Sequence, residues 1–151
     1  GTLKRLDASL IGGGKVLQVV TANDDTTRST TSTSYVTASN TLSVNITPSA
    51  TSSKVFVLVT TYGYATADNE LSVTIKRDST DIGDAGAGKG FISNFNGNAG
   101  VGGFGIPMSV LDSPSSTSQI TYQVFLKVSG GTGYLMNGGA KSTITVFEIG
   151  A

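Results

Sequence analysis

The sequence of 151 residues contains no cysteine, no histidine and no tryptophan, and only three prolines. The absence of cysteine excludes disulfides, thiol chemistry and thiolate metal sites. Ten basic residues balance ten acidic ones, and no run of like charge exceeds two residues. Because no basic stripe is available to neutralise phosphates, we do not expect a nucleic-acid partner.

Long hydrophobic runs are also missing. Apolar stretches are short and interrupted by Thr, Ser and Gly, so none approaches the ~18–20 residues that a membrane helix needs, and we expect no membrane insertion. Serine and threonine together number 40, and glycine 20, which favours strands and tight turns. The length predicts one domain with a full core.

The stretch KVFVLVTTY at residues 54–62 is apolar on both faces of a strand. Val55, Val57 and Val59 point one way, whereas Phe56 and Leu58 point the other. One face can enter the domain's own core, but the second face needs another cover. A partner subunit is the expected cover, so the pattern predicts self-association.

Eight strands, labelled A to H, follow from alternation and turn signals. Strands A, C, F and H are apolar on both faces, whereas B, D, E and G have one polar face. This division predicts an all-β, eight-stranded antiparallel jelly-roll sandwich, with each set forming one sheet. The predicted strands are A (16–22), B (42–47), C (54–62), D (70–77), E (90–95), F (105–111), G (119–128) and H (142–149).

Five apolar residues are the candidates for the contact between copies of the chain. We expect them either to meet in that contact or to fill the adjoining core. They are Phe56, Leu58, Phe125, Phe147 and Ile149.

The first residues have the only helix-like spacing in the chain. Leu3, Leu6, Leu10 and Ile11 lie roughly along one face of residues 2–11. We interpret residues 1–14 as an N-terminal arm that anchors the domain at 15–151 to other proteins. A frayed arm with no role is the alternative interpretation.

If the strands alternate in direction, the A/B, C/D, E/F and G/H connections gather at one end of the sandwich. Aromatic and polar residues in these loops are candidates for binding a glycan or protein ligand, although they could also simply cap the end of the barrel. The candidates are Tyr62, Tyr64, Asp24, Asp68, Asn96, Asn98, Phe104, Tyr134 and Asn137.

Other motifs argue against an enzyme. Gly83, Gly88 and Lys89 match the spacing of a P-loop, but Gly90 replaces the hydroxyl residue and no amphipathic helix follows. The clustered acids do not match a calcium loop, and no nucleophile elbow occurs. We expect no metal, no cofactor and no catalytic residue.

Four segments resemble a structural module of tailed bacteriophages, of the kind found in marine and cyanobacterial phage fibre-like proteins. They are KVLQVV (15–20), LSVNITPSATSSKVFVLV (42–59), LDSPSSTSQITY (111–122) and STITVFEI (142–149). The resemblance implies a trimeric jelly roll on the virion surface, similar in build to tumour necrosis factor-like and complement globular-head domains. In such a homotrimer the five apolar contact residues would meet around the threefold axis or fill the adjoining core.

The resemblance leaves three roles open. A fibre or tail-tip module would recognise the host surface through its distal loops, with a host glycan or protein as partner. A capsid decoration protein would bind other virion proteins through residues 1–14. A secreted adhesion or lectin-like module is the third alternative.

Overall fold

A computed structural model describes residues 14–66, 68–83, 92–95 and 103–150. Alternating buried and exposed side chains make this part of the chain almost entirely β. Twelve strands occur among the described residues: β1 (Val16–Asp24), β2 (Arg28–Thr30), β3 (Val36–Thr37), β4 (Ser43–Ile46), β5 (Lys54–Ala65), β6 (Glu70–Arg77), β7 (Thr80–Asp81), β8 (Ile92–Phe95), β9 (Phe104–Asp112), β10 (Ile120–Val128), β11 (Gly133–Leu135) and β12 (Ser142–Ile149).

The first sheet is antiparallel and centred on β5, the longest strand. One edge of β5 pairs with β9, and the other edge pairs with β12 and then with β11. Beyond these strands, β1 pairs with β12 and β2 pairs with β11. This sheet is therefore four strands wide.

The second sheet is built around the pair β10 and β6. Strands β3 and β4 pair with the free edge of β10, and β7 and β8 pair with the free edge of β6. The long strands have the order A-H-C-F in the first sheet and B-G-D-E in the second, which is a jelly-roll order. The predicted β-sandwich and its division into two sheets are confirmed.

The hydrophobic core lies between the two sheets. The inward side chains of β5 include Val55, Val57 and Val59, which are fully buried, and those of β6 include Leu71 and Val73. Each such side chain contributes on the order of 1.5–3 kcal/mol by leaving water. Because side chains alternate along a strand, the neighbours of these core residues point to the outer face of the sheet.

Two details differ from the expectations. The segment between β1 and β4 contains two short strands, β2 and β3, which are not among the eight predicted strands. The polar face of strand D (β6) was expected to be exposed to solvent, but Ser72 and Thr74 in the middle of the strand are buried. Thr74 Oγ1 donates a hydrogen bond of 2.6 Å to Asp81 on β7, the short strand that pairs with the end of β6.

The predicted N-terminal arm and its anchor residues Leu3, Leu6, Leu10 and Ile11 lie outside the described residues, as does the P-loop-like segment beyond Gly83. Within the described ranges, no helix is long and apolar enough to cross a membrane.

Candidate functional site

The outer face of the first sheet is formed by the side chains of β1, β5, β9 and β12 that point away from the core. On β5 these residues alternate with fully buried ones, as period-two geometry requires. They change in character along the strand, from apolar through threonine to tyrosine. In order, they are Phe56, Leu58, Thr60, Tyr62 and Tyr64.

The end of this face near Lys54 is apolar. The strand register places Val19, Phe147, Phe56 and Leu111 in one row across four strands. The rings of Phe56 and Phe147 have centroids 6.1 Å apart and are tilted by 39°. A shallow depression of about 420 Å³ is lined by apolar side chains alone: Val16, Phe56, Leu58, Leu111, Phe147 and Ile149. This set is the apolar end of the outer face.

These side chains are exposed to an extent that is unusual for their type. Val16 is 56% exposed, Leu111 54% and Leu58 38%. Isolated exposed apolar residues are common, but a contiguous group of this kind is typical of a surface that contacts another protein or a membrane.

Four of the five residues predicted to form the subunit contact lie together at the apolar end. Phe56, Leu58, Phe147 and Ile149 line the depression on the outside of the sheet, so they do not fill the core of their own chain. Leu111 and Val16 line the same depression but are absent from the predicted set.

Val16 reaches the outer face because of a backbone irregularity. Strand β1 shifts register between Val16 and Gln18, so Val16 lies opposite Ile149 while Gln18 lies opposite Glu148. Strict alternation from Val20 would turn Val16 toward the core. The shift instead adds its side chain to the apolar end, as bulges near strand ends commonly do.

Phe125, the fifth predicted contact residue, lies on the other side of the sandwich. It belongs to β10 in the second sheet and faces outward between the buried Val124 and Leu126. The Lys76 ammonium lies 4.7 Å from the centre of its ring. One flat contact cannot include Phe125 together with the other four residues, which corrects the expected grouping.

A band of threonines follows the apolar end. Thr21 and Thr145 hydroxyls are 2.9 Å apart across β1 and β12, and those of Thr60 and Thr143 are 2.8 Å apart across β5 and β12. Each of the four hydroxyls therefore has a partner within the chain. Because these hydrogen bonds do not depend on water, drying the band costs less than drying free hydroxyls.

Tyrosines occupy the far end of the face. Tyr64 on β5 and Tyr134 on β11 are directly paired in the sheet, and their rings stack with centroids 5.0 Å apart and 19° between planes. Two residues earlier on β5, the Tyr62 hydroxyl accepts a hydrogen bond of 2.9 Å from the Gly103 N–H.

The predicted gathering of loops at this end is visible in three connections. Thr66 N–H donates to the Thr132 carbonyl at 2.8 Å, Met136 N–H donates to the Tyr62 carbonyl at 2.8 Å, and the Thr27 hydroxyl donates to the Met136 carbonyl at 3.2 Å. These bonds connect the A/B, C/D and G/H loops to one another.

The predicted ligand residues are only partly brought together. Tyr62, Tyr64 and Tyr134 lie on the outer face of the first sheet, and Phe104, at the start of β9, is 44% exposed. Asp68 is exposed in a left-handed conformation with φ of 51°. Asn137 begins a 3₁₀ turn, Asn137–Gly139, and Asn96 and Asn98 lie outside the described residues.

Asp24 is buried and does not present its carboxylate to a ligand. It accepts hydrogen bonds from the Ser39 hydroxyl and the Thr26 N–H, and it pairs with Arg28 at 2.9 Å. Burial alone would raise its pKa, but the hydrogen bonds outweigh that effect and hold the pKa well below its usual range. Asp24 is therefore a structural acid, which corrects its place among the ligand residues.

Glu148 is a second buried acid, at the opposite end of the sandwich. Its carboxylate accepts hydrogen bonds from the Ser49 N–H and hydroxyl, both at 2.7 Å, and from Gln18 Nε2 at 2.6 Å. Burial would raise the pKa, yet these donors lower it to about 2. Glu148 thus connects β12 to β1 and to the turn that precedes β5.

Asp112 joins the two sheets. It accepts two hydrogen bonds from Arg77 Nη1, at 2.9 and 2.8 Å, and one of 2.6 Å from the Tyr122 hydroxyl. Burial, followed by the neighbouring Asp112, raises the pKa of Tyr122. Its hydroxyl therefore stays protonated and donates, and the group closes the sandwich beside the apolar end.

The arrangement has the chemistry of a contact surface. Within residues 14–66, 68–83 and 103–150, no group of three or more acids, histidines or cysteines could hold a metal ion. What the outer face of the first sheet can do is bury apolar area against a matching uncharged surface.

No protein-family model matches the chain, and no curated protein matches its sequence. Among solved structures, the VP2 subviral particle of infectious bursal disease virus matches with a TM-score of 0.45 and 18% identity over 89% of this chain. A structure of the Gx strain of infectious bursal disease virus matches with a TM-score of 0.43 and 20% identity over 91% of this chain. The chain spans 38% and 37% of those proteins. Scores this low support no conclusion about function.

Proposed function

We propose that this chain is a structural module of a virion that assembles into a homotrimer through the apolar end of the first sheet's outer face. The apolar end, from Val16 and Ile149 to Leu111, is the observation on which this rests. The phage-like segments at 15–20, 42–59, 111–122 and 142–149 support the virion role.

A second copy of the chain is the occupant that suits this face. Apart from Lys54 at its edge, its rows contain uncharged side chains, including the Asn23 amide, so copies that converge on a threefold axis do not oppose like charges. The apolar end is only part of this face. The whole face, roughly 40 Å along the twelve residues of β5 by roughly 19 Å across four strands, covers about 750 Å² and approaches the ~800 Å² that each partner buries in a standard interface.

The first test is the size of the wild-type particle and of a Phe56→Asp variant, measured by light scattering and sedimentation velocity. We expect three chains of 15.4 kDa for the wild type. An unpaired charge buried in the contact costs about 3 kcal/mol or more, so the variant should dissociate at least ~100-fold more readily.

Phe125→Asp is the matched control, because the same residue type faces outward on the other sheet. It should remain a trimer. Circular dichroism and thermal unfolding establish that each variant is folded, and Leu111→Lys offers a second charge at the apolar end. A monomeric wild type, or a folded Phe56→Asp protein that remains a trimer, contradicts the proposal.

More specifically, we propose that the trimer lies at the tip of a fibre, where its distal loops contact the host surface. Electron microscopy of purified phage particles labelled with gold-conjugated antibody tests this location. Label at the ends of tail appendages supports it. Label spread over the capsid supports the decoration role instead, and unlabelled particles contradict both.

A further inference from the structure

The tyrosine end lies on the same face as the apolar end, so its role depends on what covers that face. Tyr62 and Tyr64 continue the outward series of β5 that begins with Phe56, and Tyr134 is the neighbour of Tyr64 in the sheet. All three are half-buried in the single chain. If a second copy covers Phe56 and Leu58 and the contact continues along β5, it reaches the tyrosines within three further rows of side chains.

The geometry of the rings suits a packed contact better than a sugar site. Tyr64 and Tyr134 each use one ring face against the other, whereas sugars stack on free ring faces. Tyr62 has its ring against Gly103, where a Cβ would lie 2.7 Å from the ring, and its hydroxyl accepts from the Gly103 N–H. These contacts fix the tyrosines in place, and rigid aromatic groups are favoured in protein interfaces.

The threonine band provides continuity between the two ends. Its four hydroxyls are already paired as Thr21 with Thr145 and Thr60 with Thr143. Thr21 also donates to the Ile144 carbonyl at 3.2 Å, so the Thr21–Thr145 pair uses both of its O–H groups, whereas the Thr60–Thr143 pair uses one of two. A partner can therefore cover the band at the cost of a single unbonded O–H, and the dry contact need not stop at Leu58.

We infer that the contact between copies runs the length of β5 and that Tyr62, Tyr64 and Tyr134 are buried between copies. They then belong to the assembly interface and are not a receptor site. This inference rests on the proposed function, because it extends the same contact. The three tyrosines are then not ligand residues, and any ligand would bind the distal loops.

The test compares Tyr64→Lys with Tyr35→Glu. Tyr35 precedes β3 of the second sheet, and its ring lies beneath Lys76 and Lys127 on that side of the sandwich, where a carboxylate would face two ammonium groups. We expect Tyr64→Lys to raise the dissociation constant of the trimer by ~10–100-fold, since it buries an unpaired charge between copies. Tyr35→Glu adds its charge on the opposite sheet and should change the dissociation constant by less than about threefold.

The outcomes separate this inference from the proposed function. A monomeric wild type refutes the proposed function. If Phe56→Asp dissociates the trimer and a folded Tyr64→Lys protein remains a trimer, only the extension to the tyrosines is refuted.

Acetylation of tyrosines by N-acetylimidazole, read by peptide mass spectrometry, gives an answer even if Tyr64→Lys fails to fold. Tyr64 and Tyr134 should react at least ~5-fold more slowly in the assembled wild type than in the dissociated Phe56→Asp variant. Tyr35, whose hydroxyl is buried within its own chain, should react slowly in both proteins, which shows that both are folded. Equal reaction of Tyr64 in the two proteins overturns the inference.

Discussion

At the scale of single residues, three acids connect separate strands and loops of the chain. Asp24 binds Ser39 and Arg28, Asp112 binds Arg77 and Tyr122, and Glu148 binds Gln18 and Ser49. A buried carboxylate without partners would cost several kcal/mol, whereas one with charge-assisted hydrogen bonds stabilises the fold. These acids fix the loops and sheet ends that the apolar core alone does not specify.

Glu148→Gln should lower the melting temperature at neutral pH. The amide loses the charge-assisted bonds to Ser49, which we expect to cost about 1–3 kcal/mol, or about 3–10 °C. Thermal unfolding followed by circular dichroism measures the shift. Asp68→Asn, at an exposed acid, is the control and should leave the melting temperature unchanged. An unaltered melting temperature for Glu148→Gln would show that the carboxylate does not stabilise the fold.

The same variant should change how stability depends on pH. Folding lowers the pKa of Glu148 from 4.5 to about 2. Its stabilisation is therefore complete above pH 4.5 and is lost as the pH falls toward 2. The melting temperature of the wild type should fall more steeply than that of Glu148→Gln between these values. Identical slopes would contradict the lowered pKa.

Sequence alone gives part of this picture. Glu148 shares the alternation of Ile144 and Val146, so its burial could be predicted, but its partners Gln18 and Ser49 are 130 and 99 residues away. Asp24 resembles a solvated loop acid beside Asp25. Its burial follows from Ser39 and the surrounding fold, which no local pattern reveals.

At the scale of elements, alternation identified the strands that are long enough to display it. The eight predicted strands have counterparts in the structure, and their two-faced or one-faced patterns divided them between the sheets correctly. Strands β2, β3, β7 and β11 have two or three residues, which is too short for a period-two pattern. Strands β3, β7 and β11 form along the edges of longer strands, and β2 adds to β11. The register shift beside Val16 likewise depends on the pairing of β1 with β12.

Gly63→Ala should destabilise the pairing of β5 with β11. A Cβ at this position would lie 2.6 Å from both Leu135 Cδ2 and the Tyr134 carbonyl oxygen, and the carbonyl belongs to backbone that cannot move aside cheaply. We expect a loss of about 1–3 kcal/mol, seen as a melting temperature lower by about 3–10 °C.

Gly105→Ala is the matched control for this element. Gly105 lies on β9 opposite Tyr62, and a Cβ there meets nothing within 4 Å. Its melting temperature should equal or slightly exceed that of the wild type. If both variants melt alike, close packing at Gly63 does not limit the pairing of β5 with β11.

At the scale of the whole molecule, the two outer faces differ in kind. The first sheet presents an apolar end, a band of paired threonines and a tyrosine end, whereas the second sheet presents Lys76 and Lys127 over aromatic rings. The chain as a whole has no net charge. Association through the first sheet should therefore depend on apolar burial and very little on charge.

The proposed trimer should accordingly be insensitive to salt. Raising sodium chloride from about 0.05 M to about 1 M shortens the Debye length from more than 10 Å to about 3 Å, which weakens assemblies held by ion pairs. We expect the trimer dissociation constant, measured by sedimentation velocity, to change by less than about threefold or to fall. Lys54→Gln should behave like the wild type, because Lys54 is at the edge of the face. A dissociation constant that rises steeply with salt would mean that charged groups hold the copies together, and that the apolar end is not their main contact.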